Sequence, residues 1–170
     1  MIRIAITGPE SSGKTTLSQQ LGLHFQLPVA PEFARIFLES SNGSYCFSDL
    51  DLIAQGQVDA WDNLDTSLLC DTEMTVMKIW SEVKFKKISP LIQKCYLEQR
   101  FDHYFLCRPD IPWEPDPLRE NPNDRNDLFE RYQKELKLLN RPFTIIEGSE
   151  KDRKDHCIQI IEELFPFFKK

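Results

Sequence analysis

The sequence GPESSGKT, from Gly8 to Thr15, decides the fold of this chain. It matches the P-loop pattern GxxxxGK[ST], directly after the apolar run IRIAIT and directly before the helix-like segment TLSQQLGLHF. A strand, a glycine-rich loop and a helix in this order form a phosphate-binding site. The motif therefore predicts a domain that binds a nucleoside triphosphate.

Each part of this loop has a predicted role in binding the triphosphate. Glycines allow backbone conformations in which successive N–H groups turn toward one anion, and the following helix points the positive end of its dipole at the same place. Lys14 is expected to reach the β- and γ-phosphates, and the Thr15 hydroxyl group to bind Mg²⁺. The predicted nucleotide-binding residues are Gly8, Pro9, Glu10, Ser11, Ser12, Gly13, Lys14, Thr15 and Thr16.

Length, charge and cysteine content limit the class of protein. The 170 residues favour one domain, residues 1–170, with a substantial core. A formal charge of −6 argues against nucleic acid as a partner, because non-specific binding relies on basic surface. The 5 cysteines form no CxxC pair, which favours reduced thiols. No apolar run approaches roughly 18 residues, so we expect no membrane partner and a cytoplasmic protein. The sequence does not indicate an oligomeric state.

Five apolar strand candidates alternate with amphipathic helical patterns along the chain. The strands are expected at residues 2–7, 27–30, 67–71, 102–107 and 142–147. Such alternation is typical of a parallel sheet that is covered by helices on both faces. The sequence therefore predicts an α/β three-layer sandwich, in which functional residues follow the carboxyl ends of the strands.

Two acidic residues lie at or just beyond the ends of predicted strands. Asp71 ends the run LLCD and is the expected second anchor of Mg²⁺. Glu32, in the sequence PEFAR, is placed to accept a proton from an acceptor hydroxyl group or to bind a sugar, with Arg35 pairing with it or with phosphate. An ordinary helix start with an ion pair explains Glu32 and Arg35 equally well.

The segment RPDIPWEPDPLRENPNDR, residues 108–125, contains 5 prolines and has no helical pattern. Irregular segments of this length are usually functional. We interpret residues 109–126 as a lid that closes over the nucleotide and brings Arg119 and Arg125 to the transferring phosphoryl group. The alternative is a surface loop whose arginines are solvated.

Taken together, GPESSGK, PEFAR, the Asp71 strand end and WEPDPLREN resemble the NadR-type kinase family, P-loop domains that are related to nicotinamide riboside kinases. The resemblance extends over residues 2–149. It implies ATP and Mg²⁺ as cofactors and the strand order 2-3-1-4-5. It also implies phosphorylation of the ribose 5′-hydroxyl group of nicotinamide riboside or a related nucleoside, a step of NAD salvage.

A small-molecule kinase is the leading hypothesis, and it gives a role to most of the candidate residues. The expected catalytic residues are Lys14, Glu32, Asp71, Arg119 and Arg125, with either Glu32 or Asp71 as the base. The chain departs from the family at Pro31, because related kinases carry there an aromatic residue that stacks on the nicotinamide ring. Stacking would come instead from Phe33, Trp61 or Trp113. The predicted substrate-binding residues are Glu32, Arg35 and Trp113.

A function of another class fits the departure at Pro31. The chain would then be a nucleotide-dependent regulatory ATPase or switch, without a small-molecule acceptor. Such a protein would hydrolyse ATP at a rate that no added nucleoside changes. A GTPase is disfavoured, since no NKxD-like motif follows the fourth strand, where CRPD stands.

Overall fold

A computed structural model of the chain describes residues 1–120 and 123–169. Its centre is a parallel sheet in the order β2-β3-β1-β4-β5, which confirms the predicted topology. Every strand lies inside its predicted range. The strands are β1 (Arg3–Thr7), β2 (Val29–Ala30), β3 (Leu68–Asp71), β4 (His103–Cys107) and β5 (Phe143–Ile146).

Helices connect the strands and are followed by a short 3-10 turn at Pro166–Phe168. The helices are α1 (Lys14–Phe25), α2 (Phe33–Ser40), α3 (Asp49–Asp62), α4 (Met74–Phe85), α5 (Pro90–Glu98), α6 (Arg125–Leu138) and α7 (Glu150–Leu164). The sequence patterns did not predict α5. It begins where the Ser89 hydroxyl group accepts a hydrogen bond from the Ile92 N–H at 3.1 Å, with Pro90 as its first residue.

Alternate side chains of the central strand face opposite layers of helices. Ile4 and Ile6 point toward α1 and α7 and pack in one buried cluster with Leu21 and Ile161. Ala5 belongs to a second cluster on the other face, to which α3, α4 and α6 contribute. The two clusters bury both faces of the sheet, so the three-layer prediction is confirmed.

The strand register places the carboxyl ends of β1, β3 and β4 side by side. Ile6 lies opposite Asp71 of β3, and Thr7 lies opposite Leu106 of β4. The loop after β1 is therefore bordered by Asp71 on one side and by the chain leaving β4 on the other. Within residues 1–120 and 123–169, no helix combines the length and the apolar character that a membrane span requires.

The segment after β4 is irregular, as predicted, but its end differs from the prediction. Arg125 and Asn126 form the first turn of α6 and do not belong to a loop. Asn121 and Pro122, which the predicted lid also includes, lie outside the described residues. We keep the name lid for residues 109–120.

Candidate functional site

The P-loop lies tightly against the end of β4. Gly8 has a φ angle of 135°, and a Cβ atom there would lie 2.7 Å from the carbonyl oxygen of Cys107. Gly13 has a φ angle of 81°, and Ser11 one of 51°. The positive φ angles at Gly8 and Gly13 explain why the first and sixth positions of the motif are glycine.

The loop orients its side chains around the start of α1. Ser12 Oγ donates to the carbonyl oxygen of Pro9 at 2.7 Å, and Lys14 Nζ donates to the same oxygen at 2.8 Å. The helix N-terminus at Gly13 has no side-chain cap and no acidic residue in its first turn. It is therefore arranged to receive an anion, with the ammonium group of Lys14 beside it.

Asp71 is the buried carboxylate of this site, with 3% of its surface exposed. The Thr15 hydroxyl group lies beside it, yet its Oδ1 atom has no hydrogen-bond partner among the described residues. Burial, and secondarily the charge of Glu32, raise the pKa of Asp71 to about 6. A buried carboxylate with an unused oxygen beside a threonine hydroxyl group has the chemistry of a Mg²⁺ site.

No group of three or more His, Cys, Asp or Glu side chains in the described part of the chain could hold a metal ion by itself. Mg²⁺ would therefore be shared between Thr15, Asp71 and phosphate oxygens.

Glu73, two residues after Asp71, is buried, and its carboxylate accepts hydrogen bonds inside the protein core. Its Oε1 atom accepts from Thr7 Oγ1 at 2.7 Å, and its Oε2 atom accepts from the Thr75 N–H at 2.7 Å and from Gln99 Nε2 at 2.6 Å. Thr72 separates the two acids and has a φ angle of 82°. This turn sends Asp71 toward the P-loop and Glu73 into the protein.

Glu32 and Arg35 lie at the start of α2, which follows β2, on the same side of β1 as Asp71. Gln57 holds this segment, because its Oε1 atom accepts from the Phe33 N–H at 2.8 Å and its Nε2 atom donates to the Pro31 carbonyl oxygen at 3.1 Å. Arg35 pairs with Asp116 of the lid at 2.9 Å and with Glu39 of its own helix at 3.8 Å. The hydrogen bond to Asp116 raises the pKa of Arg35, and the charge of Glu32 adds to this effect.

The lid rests on the P-loop through Ser11. The Glu114 N–H donates to Ser11 Oγ at 3.0 Å, and Arg119 donates to the same oxygen at 3.3 Å. Arg125 donates to the Ser11 carbonyl oxygen at 3.0 Å. The Trp113 ring lies beside both guanidinium groups, at 5.8 Å from Arg119 and 5.6 Å from Arg125. The structure thus brings the two predicted lid arginines together around one loop residue.

Sequence reasoning missed Arg153, which lies on α7 with 3% of its surface exposed. Its guanidinium donates to the carbonyl oxygens of Ser12 at 2.8 Å, Arg108 at 2.9 Å and Gly148 at 2.8 Å, and pairs with Asp110. One side chain therefore connects the P-loop with the chain leaving β4 and β5. A signal was present, since Arg153 precedes the buried residues Cys157 and Ile161 at intervals of four.

Two cavities meet at this site. One, of about 280 Å³, is lined by residues 10–17 of the P-loop and α1 together with Arg119 and Arg153. The other, of about 490 Å³, lies between the P-loop, the lid, α2 and α4. They share a border of five residues, Glu10, Lys14, Glu32, Leu38 and Leu118. A group bound in one cavity can thus approach a group in the other beside Lys14 and Glu32.

The aromatic lining of the second cavity differs from the prediction. Tyr45, Trp80 and Tyr132 line it, and none of them had been singled out as a stacking residue. Trp61 is wrong as a stacking candidate, because it is buried in the core with its ring 5.3 Å from that of Phe101. Phe33 packs toward α3, where it fills the space beside Gly56.

Comparison with known proteins identifies the family. A model of the AAA domain family AAA_28 matches residues 3–153. The chain belongs to this family. The AAA_28 match covers the whole sheet and all the site residues described above, and it ends at Arg153.

Similar proteins of known sequence or structure include NadR. The chain is 27% identical over 172 residues to the trifunctional NAD biosynthesis/regulator protein NadR of Escherichia coli K12. The aligned region covers 95% of this chain and 42% of NadR. A crystal structure of NadR protein in complex with NAD and AMP-PNP superposes with a TM-score of 0.78 at 23% identity, over 97% of this chain and 49% of that one. A NadR structure in complex with NR gives 0.80 at 21% identity, over 97% and 52%. The chain thus spans about half the length of these relatives or less.

Proposed function

We propose that this domain transfers the γ-phosphoryl group of ATP to a hydroxyl group of a nucleoside, with the ribose 5′-hydroxyl of nicotinamide riboside as the first candidate acceptor. The observation that carries this proposal is the meeting of the two cavities at Lys14 and Glu32. A nucleotide-hydrolysing switch needs only the first cavity. A second cavity with aromatic walls, which opens on the same lysine, supports an acceptor beside the triphosphate.

Each residue has a defined role in the proposed transfer. The acceptor hydroxyl oxygen attacks the γ-phosphorus, the bond from that phosphorus to the β–γ bridging oxygen breaks, and ADP leaves. The hydroxyl proton passes to the Glu32 carboxylate. Lys14, Arg119 and Arg125 stabilise the charge that is spread over the phosphoryl oxygens.

We assign Asp71 and Thr15 to Mg²⁺, which when bound neutralises charge on the β- and γ-phosphates. This choice favours Glu32 over Asp71 as the base, since Asp71 already contacts Thr15. Residues 109–120 act as the lid. Glu32 borders the second cavity and is placed to contact the acceptor, whereas Arg35 lines only the first cavity and Trp113 lines neither of the two. The likeness to NadR, which has been crystallised with NR, supports nicotinamide riboside as the first acceptor to test.

A product assay by mass spectrometry tests the proposal. The protein is incubated with ATP, Mg²⁺ and either nicotinamide riboside or one of a panel of ribo- and deoxyribonucleosides. Nicotinamide mononucleotide, formed by the wild type and lost in Lys14→Ala, is the expected result. Phosphorylation of a different nucleoside would support the proposed kinase activity but change the proposed acceptor. ADP alone, at one rate with every acceptor, would overturn the transfer and favour a regulatory ATPase.

A further inference from the structure

Glu120, in the lid, is held by contacts from three parts of the protein. Its backbone N–H donates to the carboxylate of Glu10 in the P-loop, at 3.0 Å to the nearer oxygen. Its own carboxylate accepts from the Tyr45 hydroxyl group at 3.0 Å and from Lys84 Nζ of α4 at 2.8 Å. None of these contacts comes from the lid itself, so they fix where the lid lies.

The direction of the Tyr45 hydrogen bond is determined by its other partner. Trp80 Nε1 lies 2.9 Å from the Tyr45 hydroxyl oxygen, and an indole N–H can only donate. The hydroxyl oxygen therefore accepts from Trp80 and keeps its own hydrogen for Glu120. The two rings also pack edge to face, with 5.0 Å between their centroids. Trp80 thus orients the tyrosine that holds the lid.

All of these residues also line the second cavity. Its walls include Glu10, Tyr45, Trp80, Lys84 and Glu120. Whatever occupies this cavity therefore contacts the same side chains that hold the lid in place. The adjacent residue of the lid, Arg119, reaches Ser11 of the P-loop. A shift of Glu120 would accordingly move Arg119 away from the phosphate site.

From this arrangement we infer that Tyr45 and Glu120 are positioning residues, whose hydrogen bond holds the lid closed from the acceptor side. The bond keeps Arg119 at the P-loop and keeps water away from the transferring group while the acceptor is bound. The inference rests on the proposed function. It adds that coupling between ATP cleavage and phosphoryl transfer depends on the Tyr45–Glu120 contact.

The test compares Tyr45→Phe with Tyr96→Phe. Both substitutions remove one tyrosine hydroxyl group that donates to a glutamate, but the Tyr96 bond to Glu135, at 2.7 Å, lies between α5 and α6 and outside the cavity lining. In Tyr45→Phe we expect kcat to fall about tenfold, with KM for ATP nearly unchanged, because a hydrogen bond to a charged group has an effect of this size. The share of cleaved ATP that yields no phosphorylated product should rise. Tyr96→Phe should keep wild-type kcat and coupling.

Limited trypsin digestion gives a readout that needs no acceptor. Trypsin can cleave the lid after Arg119, and it cleaves poorly after Arg108, which precedes Pro109. Cleavage after Arg119 should be several times faster in Tyr45→Phe than in the wild type and Tyr96→Phe, all of which have the same residues at the cleavage site. Equal cleavage rates in all three proteins would overturn the proposed role of the Tyr45–Glu120 hydrogen bond, whether or not the protein is a kinase. A wild type that phosphorylates no nucleoside, but whose lid is released by Tyr45→Phe, would overturn the proposed function alone.

Discussion

Arg153 Nη1 donates to the carbonyl oxygen of Ser12 at 2.8 Å and connects α7 to the P-loop across 141 positions of the sequence. The guanidinium is buried, and its remaining bonds go to the carbonyl oxygens of Gly148 and Arg108 and to Asp110. The planar guanidinium group of an arginine can donate hydrogen bonds to several acceptors in one plane, whereas the ammonium group of a lysine cannot. The shape of the phosphate site therefore depends on a residue that is not part of the P-loop motif.

The substitution Arg153→Lys should lower the free energy of unfolding by about 2 kcal/mol, because it leaves buried carbonyl oxygens without donors. It should also weaken ATP binding, since the P-loop loses its support at Ser12. Urea denaturation and a nucleotide titration measure the two effects. Lys151→Met, on the exposed first turn of the same helix, is the control and should match the wild type. Wild-type values for Arg153→Lys would show that charge alone supports the loop.

Much of the fold was predictable because its signals are local. The P-loop follows β1 directly, and apolar strands that end in Asp71 or Cys107 can be recognised within a few residues. Tyr45 gave no such signal, since its role depends on Trp80 and Glu120, which lie 35 and 75 positions away. Arg153 shares a helix face with Cys157 and Ile161, but it also stands in the charged run EKDRKD, which is typical of a solvated face. The packing of α7 on the sheet decides between these two signals.

Arg125, at the start of α6, should be needed for turnover but not for folding. It is the first residue of α6, where a positive charge opposes the helix dipole, so its removal should not destabilise the helix. In Arg125→Ala we expect kcat to fall about 10²-fold or more, with an unchanged melting temperature. Arg131→Ala, at an exposed position of the same helix, is the matched control for steady-state kinetics. Full activity of Arg125→Ala would contradict the assignment of Arg125 to the transferring phosphoryl group.

Ionised Asp71 should oppose folding at neutral pH. Because burial raises its pKa from 3.8 to about 6, the folded protein holds this proton up to a higher pH than the unfolded chain does. The protonated group favours the folded state fully below about pH 4, and this contribution is lost as the pH rises to about 6. The difference corresponds to about 3 kcal/mol.

Asp71→Asn should therefore be more stable than the wild type at pH 7 in metal-free buffer, and the gain should disappear toward pH 4. The same variant should lose turnover, because an amide is a poor ligand for Mg²⁺. Urea denaturation at several pH values, with a chelator present, measures the first effect. Parallel pH profiles for both proteins would show that the Asp71 carboxylate is solvated.

Thr72 carries strain that a substitution should release. It is β-branched with a φ angle of 82°, and its buried hydroxyl group has no hydrogen-bond partner among the described residues. Its backbone is held on both sides, since its N–H donates to the Ile6 carbonyl oxygen at 3.1 Å and its carbonyl oxygen accepts from Cys70 Sγ at 2.9 Å. The conformation is therefore imposed by the strand register that places Asp71 beside the P-loop.

At most positions an alanine variant is more stable than the glycine variant by up to about 1 kcal/mol. At Thr72 we expect the reverse order, with Thr72→Gly more stable than Thr72→Ala by about 1 kcal/mol, because only glycine adopts this backbone without penalty. The pair Gln19→Gly and Gln19→Ala, at an exposed site in α1, should keep the ordinary order under the same urea titration. If Thr72→Ala is instead the more stable variant, the turn between Asp71 and Glu73 is unstrained, and the opposite directions of the two carboxylates need no special backbone.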